Sequence, residues 1–186
     1  MGLNQWYEKG LTATEYIETL DTLKEEFFLV AKNFKPSPDK DFFEQIKEMN
    51  LRVLILAEPW CGHCMFNIPI VLKLAKYSDM PVRLLPRDEN LELMDQYLTN
   101  GKSRTIPIIL FIDEDGNEVA KWGPITKKTK QFVDQYRKEL PLKEADDYEE
   151  KLQEMLTITR KAFSTDTDIW KASYNGMKQA LLDATN

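Results

Sequence analysis

Both cysteines of the chain lie in one four-residue segment, Cys61-Gly62-His63-Cys64. Two thiols at this spacing are suited either to binding zinc or to forming a reversible disulfide. A structural zinc site normally has four nitrogen, sulfur or oxygen ligands, and the one histidine lies between the two thiols, where it cannot readily turn onto the same ion. A redox dithiol needs no further ligand, because one thiolate attacks a disulfide and the other thiol resolves the product. The spacing therefore favours redox chemistry.

The residues on either side of the pair predict a strand followed by a helix. Residues 51–57 form a nearly continuous apolar run, which is typical of a buried parallel strand, and Pro59 ends that pattern. From residue 65 to residue 76, apolar side chains recur at helical spacing. Free N–H groups and the helix dipole at a helix start stabilise a thiolate. We therefore predict that Cys61 has a lowered pKa and attacks, whereas Cys64 is the more shielded thiol.

A second feature lies about forty residues further on, where Thr105-Ile106-Pro107 precedes the apolar run of residues 108–112. Together with Trp60-Cys61-Gly62-His63-Cys64 at a strand-to-helix junction, this pattern resembles the thioredoxin superfamily over residues 51–139. The resemblance implies an α/β, thioredoxin-like fold with a central mixed β-sheet flanked by helices. In this chain the fold would have helical extensions at both ends.

The resemblance also implies which residues bind a substrate. Pro107 is expected to be cis and to face the dithiol, which leaves the backbone of Ile106 open to pair with an extended substrate chain. Trp60 is expected to flank the active-site groove with an exposed edge, and Gly123 matches a family glycine near the active site. With Gly62, these are the predicted substrate-binding residues.

Two positions depart from thioredoxin itself. Where the family often has a buried acid that takes the proton of the second cysteine, this chain has Ile55, and Glu58 is the nearest carboxylate in sequence. We hypothesise that Glu58, directly or through water, moves this proton. His63 stands where thioredoxin has proline, as in protein disulfide isomerase, and is expected to donate to the Cys61 thiolate or place positive charge near it, raising the reduction potential. The predicted catalytic residues are thus Cys61, Cys64, His63 and Glu58.

The chain is predicted to be a single thioredoxin-like domain over residues 1–186. Residues 1–50 would form an N-terminal helical extension, residues 51–139 the thioredoxin core and residues 140–186 a C-terminal helical extension. A capping box at residues 12–15 begins an apolar pattern that continues to Phe34 and predicts one long amphipathic helix. The other expected elements are a helix over residues 39–49, a central strand over 81–85, a helix over 89–99 capped by Asp88, a strand over 118–122 after a turn at 113–117, a helix over 126–139 and two C-terminal helices near 148–163 and 169–181.

The composition of the chain limits the classes of partner that it is expected to bind. The chain has 186 residues, 42% of them hydrophobic and 30% charged, which is enough apolar surface for one folded core. Its net charge of -6 disfavours binding to nucleic acid or to acidic membranes. The first residues lack a basic patch followed by an apolar run, so we expect a cytoplasmic protein.

These patterns predict a thiol–disulfide oxidoreductase that reduces or exchanges protein disulfides through a Cys61/Cys64 cycle. No cofactor or metal ion is expected. With no third cysteine, the pair must be regenerated by an external reductase or a low-molecular-weight thiol. One alternative is a redox-sensing adaptor whose reversible dithiol is not catalytic. A less favoured alternative is a zinc or iron–sulfur site shared between two chains.

Overall fold

The structure, a computed structural model, describes residues 2–185 and contains a mixed four-stranded sheet. The two apolar runs recognised in the sequence form its two inner strands, which are buried along almost their whole length. The strands are β1 Arg52–Ala57, β2 Val82–Pro86, β3 Ile108–Ile112 and β4 Glu118–Trp122, in the order β2-β1-β3-β4. Strand β1 pairs parallel to β2 and antiparallel to β3, and β3 pairs antiparallel to β4. The predicted α/β, thioredoxin-like fold is confirmed.

Helices lie before, between and after the strands. Within residues 2–185 no helix is both long enough and apolar enough to span a membrane. The helices are α1 Leu3–Lys9, α2 Ala13–Glu18, α3 Lys24–Asn33, α4 Lys40–Glu48, α5 Gly62–Tyr77, α6 Leu91–Met94, α7 Lys127–Arg137, α8 Tyr148–Thr165 and α9 Thr167–Asp183.

The predicted single helix over residues 12–34 is wrong, because the structure divides it into α2 and α3. The capping box is present, with Thr12 and Glu15 exchanging hydrogen bonds at the start of α2. The helix ends where the Thr19 hydroxyl donates to the carbonyl oxygen of Tyr16 at 2.7 Å, a side-chain bond that competes with helix continuation. Leu20 and Leu23 in the break are still buried, so the apolar periodicity passes through it unchanged. Helix α1 was not predicted.

The predicted central position of the strand at residues 81–85 is also wrong, since β2 is an edge strand of the sheet. Its apolar character has a different cause. Leu11 forms an isolated antiparallel bridge with Leu84, through hydrogen bonds of 2.8 and 2.9 Å. Helices α1 and α2 also contact β2. The N-terminal segment therefore covers this edge, which protects it from pairing with another chain.

The predicted helix over residues 89–99 is much shorter in the structure. A 3₁₀ turn occupies Arg87–Glu89, and α6 begins after Asn90 and ends at Met94. Asp88 does not cap it, because the N-cap residue is Asn90; the carboxylate of Asp88 accepts from the guanidinium of Arg87 at 2.7 Å. Further along, Thr99 forms an isolated antiparallel bridge with Ser103, so this part of the predicted helix is not helical.

Helix α5, which begins at the dithiol, is central to the helical packing. It contacts α3 from the N-terminal segment and both C-terminal helices, α8 and α9. The two ends of the chain also contact each other directly, since Arg160 on α8 pairs with Glu26 on α3 at 2.5 Å and Lys178 on α9 pairs with Asp39. The two C-terminal helices were predicted, and they pack against the helix that positions the thiols.

Candidate active site

Cys61 lies at the junction of β1 and α5, where it is the N-cap residue of the helix. Its sulfur accepts a hydrogen bond from the backbone amide of Cys64 at 3.4 Å. Cys61 is 8% exposed and Cys64 only 1%, and both are free thiols. The sequence-based expectation that the first cysteine sits at the helix start and that the second is more shielded agrees with this geometry.

The two thiols are shifted in opposite directions. The Cys64 thiol donates to Cys61 and is the largest influence lowering the pKa of Cys61; the backbone amides of Cys64 and His63 and the charge of Arg87 act the same way, against burial. Burial raises the pKa of Cys64 well above its ordinary value, and the neighbouring Cys61 raises it further. The site therefore holds one thiol poised as a thiolate beside one that stays protonated.

The backbone around Pro107 approaches Cys61 from the other side of the site. The Ile106–Pro107 peptide is cis, and the Cys61 thiol donates to the carbonyl oxygen of Ile106 over 3.7 Å. The side chain of Ile106 is itself buried. Gly123 adopts a φ of +125°, and a Cβ there would lie 2.1 Å from the carbonyl oxygen of Pro107. Cys61 thus contacts the cis-proline segment, and Gly123 packs against the same segment.

Trp60 is the most exposed part of the site. Its side chain is 57% exposed, and the guanidinium of Arg87 lies 5.2 Å from the ring centroid. Arg87 also donates to the carbonyl oxygen of Arg104 at 2.9 Å, which fixes its position. The arrangement gives an aromatic surface with an adjacent cation next to Cys61.

Glu58 directly follows the last residue of β1 and is 6% exposed. One oxygen of its carboxylate accepts from the backbone amide of Asp88 at 2.7 Å. Burial raises the pKa of Glu58. The backbone amide of Glu58 lowers the pKa of Cys64, and the charge of its carboxylate raises it. Ile55, at the position of the missing acid, is fully buried in β1. Glu58 is therefore a carboxyl group within electrostatic range of the buried thiol.

The expected positive charge on His63 is not supported by the structure. Burial, with a smaller contribution from the charge of Arg137, lowers the pKa of His63 to about 4, so the imidazole is neutral at pH 7. Its ring centroid lies 5.4 Å from that of Phe163, on α8. The contribution of this residue to the Cys61 thiolate comes from its backbone amide. The sequence could not reveal this, because the residue that buries the ring is a hundred positions away.

Two neighbours of the site were missed as functional candidates. The sequence indicates Tyr16 only as part of an apolar helix face, yet burial and the charges of Cys64, Cys61 and Glu58 all raise its pKa, so its hydroxyl is within electrostatic range of the dithiol. Phe163 packs against the dithiol segment, with ring atoms 3.9 Å from where a Cβ of Gly62 would be. Helical periodicity marked both as buried without showing what they contact.

A groove of about 360 Å³ runs from the dithiol segment to α8, and we call it the α8 groove. The groove is lined by Leu23, Trp60, Gly62, His63, Val133, Arg137, Gln153, Met155, Leu156, Thr157, Thr159, Arg160 and Phe163.

Among residues 2–185 no group of three or more histidine, cysteine, aspartate or glutamate side chains is arranged to hold a metal ion.

Two solved structures share this fold. An HIV epitope-scaffold aligns with a TM-score of 0.64 and 16% identity, over 100% of this chain and 98% of its own. A protein of unknown function from Pseudomonas aeruginosa aligns with a TM-score of 0.63 and 18% identity, over 87% of this chain and 99% of its own. At such identities the likeness shows the fold alone. Both alignments cover more of this chain than residues 51–139.

Sequence comparison identifies the family. A search of curated proteins finds no match. A family model described as thioredoxin matches residues 10–137, a range that contains the dithiol, the cis-proline and most of the N-terminal helices. This match covers more than half of the chain and agrees with the sheet order and the dithiol position. The chain therefore belongs to the thioredoxin family.

Proposed function

We propose that the protein is a thiol–disulfide oxidoreductase that reduces or exchanges disulfides in other proteins. The observation that supports this most strongly is the opposite shift of two adjacent thiols. Cys61 is stabilised as a thiolate by amides and by the Cys64 thiol, whereas burial keeps Cys64 protonated. Such a difference is what sequential attack and resolution require.

In the first step the Cys61 thiolate attacks one sulfur of a substrate disulfide. A sulfur–sulfur bond forms between Cys61 and the substrate, the substrate disulfide breaks, and the other substrate sulfur leaves as a thiolate that takes a proton from water. While Cys61 is a thiol, it donates to the Ile106 carbonyl oxygen. The thiolate has no proton to donate, so this oxygen becomes available to a backbone amide of the substrate, next to cis-Pro107.

In the second step Cys64 loses its proton and attacks Cys61. The mixed disulfide breaks, the second substrate sulfur leaves as a thiolate that takes up the proton lost by Cys64, and Cys61 and Cys64 are left as a disulfide. Two electrons have passed from the pair to the substrate. Because the chain has two cysteines in all, an external reductase or a low-molecular-weight thiol must supply the electrons that regenerate it. We propose the cytoplasm as the location, since a reducing pair needs a pool of reduced thiols.

The test is a trapping experiment with a redox titration. Cys64→Ser should accumulate covalent mixed disulfides with substrate proteins, and Cys61→Ser should form none. Titration of the wild-type pair against glutathione, quenched by alkylation and read by mass, then gives the direction of flux. A potential near about -270 mV indicates a reductase, and one near about -180 mV indicates an isomerase-like or oxidising pair.

A redox-sensing adaptor is the second candidate, and the low exposure of Cys61, 8%, favours it. An adaptor would form the Cys61–Cys64 disulfide reversibly, yet turn over model disulfides slowly and leave Cys64→Ser without trapped partners. Efficient turnover with trapped partners would reject this candidate.

A further inference from the structure

The α8 groove begins at the residues next to the attacking cysteine and is completed by the C-terminal extension. At one end it is lined by Trp60, Gly62 and His63, which immediately flank the thiols. Its far wall is α8, from Gln153 to Phe163. A substrate bound to Cys61 can therefore extend a neighbouring side chain into the groove beside this helix.

The walls of the groove are largely apolar. Met155 and Phe163 are buried at its base, whereas Leu156 is 46% and Trp60 57% exposed. A volume of about 360 Å³ is at the lower end of what ligand pockets have, and it would accommodate one or two side chains. Exposed apolar surface of this kind, next to a reactive group, is suited to bind an apolar side chain.

The groove is also positively charged, although the chain as a whole has a net charge of -6. Its lining includes two arginines and no aspartate or glutamate. Arg160 is neutralised by Glu26, at 2.5 Å. Arg137 has no ion-pair partner within 4.0 Å among the residues that the structure describes, and its charge contributes to lowering the pKa of His63. Among the described residues that line the groove, Arg137 is therefore the cation without an ion-pair partner, and the carboxylate shown to feel its charge is that of Asp134, on the same helix.

We propose that the α8 groove selects protein substrates in which the reacting cysteine is flanked by an apolar side chain and a nearby carboxylate, the carboxylate pairing with Arg137. This rests on the proposed function, because it assigns a substrate class to the same dithiol. The acidic surface elsewhere repels a carboxylate, so Arg137 provides the favourable place for it. The apolar walls distinguish such a segment from a small hydrophilic thiol, which would leave them in water.

The experiment uses four peptides of equal length, each with one cysteine in a mixed disulfide with an aromatic reporter thiol. The cysteine is flanked on both sides by Leu then Glu, Leu then Lys, Ser then Glu, or Ser then Lys. The same reporter joined to 2-mercaptoethanol is a small substrate that cannot reach the groove. Each kcat/KM for a peptide is divided by the value for the small substrate in the same variant.

For the wild type, the normalised kcat/KM for the Leu–Glu peptide should exceed that for Leu–Lys by about two- to fivefold, the scale of one exposed charge pair. Arg137→Gln should remove this preference, and Arg137→Glu should reverse it. Leu156→Asn should lower the preference for Leu over Ser by about threefold. Lys138→Gln is the matched control, because Lys138 adjoins Arg137 in sequence and does not line the groove; it should change neither preference.

Failure of the proposed function and failure of the groove proposal give different results in this experiment. Absent turnover of the small substrate and of all four peptides would reject the proposed function itself. Normal turnover of that substrate with equal rates for all four peptides would reject the groove alone, as would a Glu preference that survives Arg137→Gln. Oxidised glutathione reduced faster than every peptide, in a manner lost with Arg137→Gln, would also overturn the proposal, because the groove would then serve a small anionic thiol.

Discussion

The ring of Phe163, on α8, stacks on the ring of Phe66, on α5, with 4.9 Å between the centroids and 29° between the planes. Phe66 lies two residues after Cys64, in the first turns of the helix that begins at the dithiol. Phe163 also lies beside the imidazole of His63 and against Phe132 on α7. Phe163 therefore joins the C-terminal extension to the active site.

Removing that side chain should be costly. Phe163 is 4% exposed, so Phe163→Ala leaves a cavity between α5, α7 and α8 and should lower the free energy of unfolding by about 3–5 kcal/mol. Urea denaturation of the reduced protein measures it. Phe28→Ala is the control, because Phe28 is 47% exposed and should cost under about 1 kcal/mol. Equal losses in the two variants would contradict this anchoring role.

The neutral state of His63 predicts a specific pH dependence of stability. Burial lowers the pKa of His63 to about 4 in the folded protein, whereas in the unfolded chain it is near 6.5. Between these values the unfolded chain binds a proton that the folded protein does not, so stability falls as the pH drops from 6.5 towards 4. The loss at pH 4 should be about 3 kcal/mol.

His63→Gln isolates this contribution, since glutamine does not titrate and the carboxylates are common to both proteins. The difference in unfolding free energy between variant and wild type, measured in the reduced state, should change by about 3 kcal/mol between pH 7 and pH 4, in favour of the variant. A difference that is constant over this interval would show that the histidine is already charged in the folded protein.

Gly123 is required where the backbone passes Pro107. A Cβ there would lie 2.1 Å from the Pro107 carbonyl oxygen, and the φ of +125° is unfavourable for any other residue. Gly101→Ala supplies the matched control, because Gly101 also has a positive φ, +67°, and open space around it. Gly101→Ala should cost about 1 kcal/mol and Gly123→Ala at least about 2 kcal/mol more, in chemical denaturation. Equal stability of the two alanine variants would show that the close approach of Gly123 to Pro107 does not affect the free energy of unfolding.

The local features of the site could be predicted because they are local in sequence. The apolar run before Pro59 specifies β1, and the spacing of the cysteines with the helical pattern after them specifies the N-cap position of Cys61. The turn at residues 113–117 was likewise readable, since Asp113 and Gly116 form it within five residues.

The features that the sequence predicts wrongly, or does not indicate at all, depend on contacts between distant segments. Apolar residues in β2 indicated burial, and only the bridge from Leu11 shows that the burial is that of a covered edge. The ring of His63 is neutral because Phe163, a hundred residues later, helps bury it. The α8 groove combines side chains from four separate segments, so no single motif in the sequence could indicate it.

Glu58 should act in the resolving step. Burial raises the pKa of Cys64, so Cys64 must lose its proton before it attacks, and Glu58 is a 6%-exposed carboxyl whose charge reaches that thiol. Because burial also raises the pKa of Glu58, the rate of resolution should fall with decreasing pH at a midpoint above the usual carboxyl value of about 4.3. Glu58→Gln should slow resolution about 10- to 100-fold and abolish this midpoint, because the amide cannot accept the proton.

Single-turnover reactions, quenched with acid and analysed by mass, separate the two steps. In Glu58→Gln the mixed disulfide of Cys61 should accumulate, because its formation depends on the Cys61 thiolate and its decay on Cys64. Glu92→Gln, which removes an exposed carboxylate elsewhere on the chain, should resolve at the wild-type rate. Resolution in Glu58→Gln with an unchanged rate and pH profile would mean that the Cys64 proton leaves directly to water, and that the chain does not replace the acid missing at Ile55.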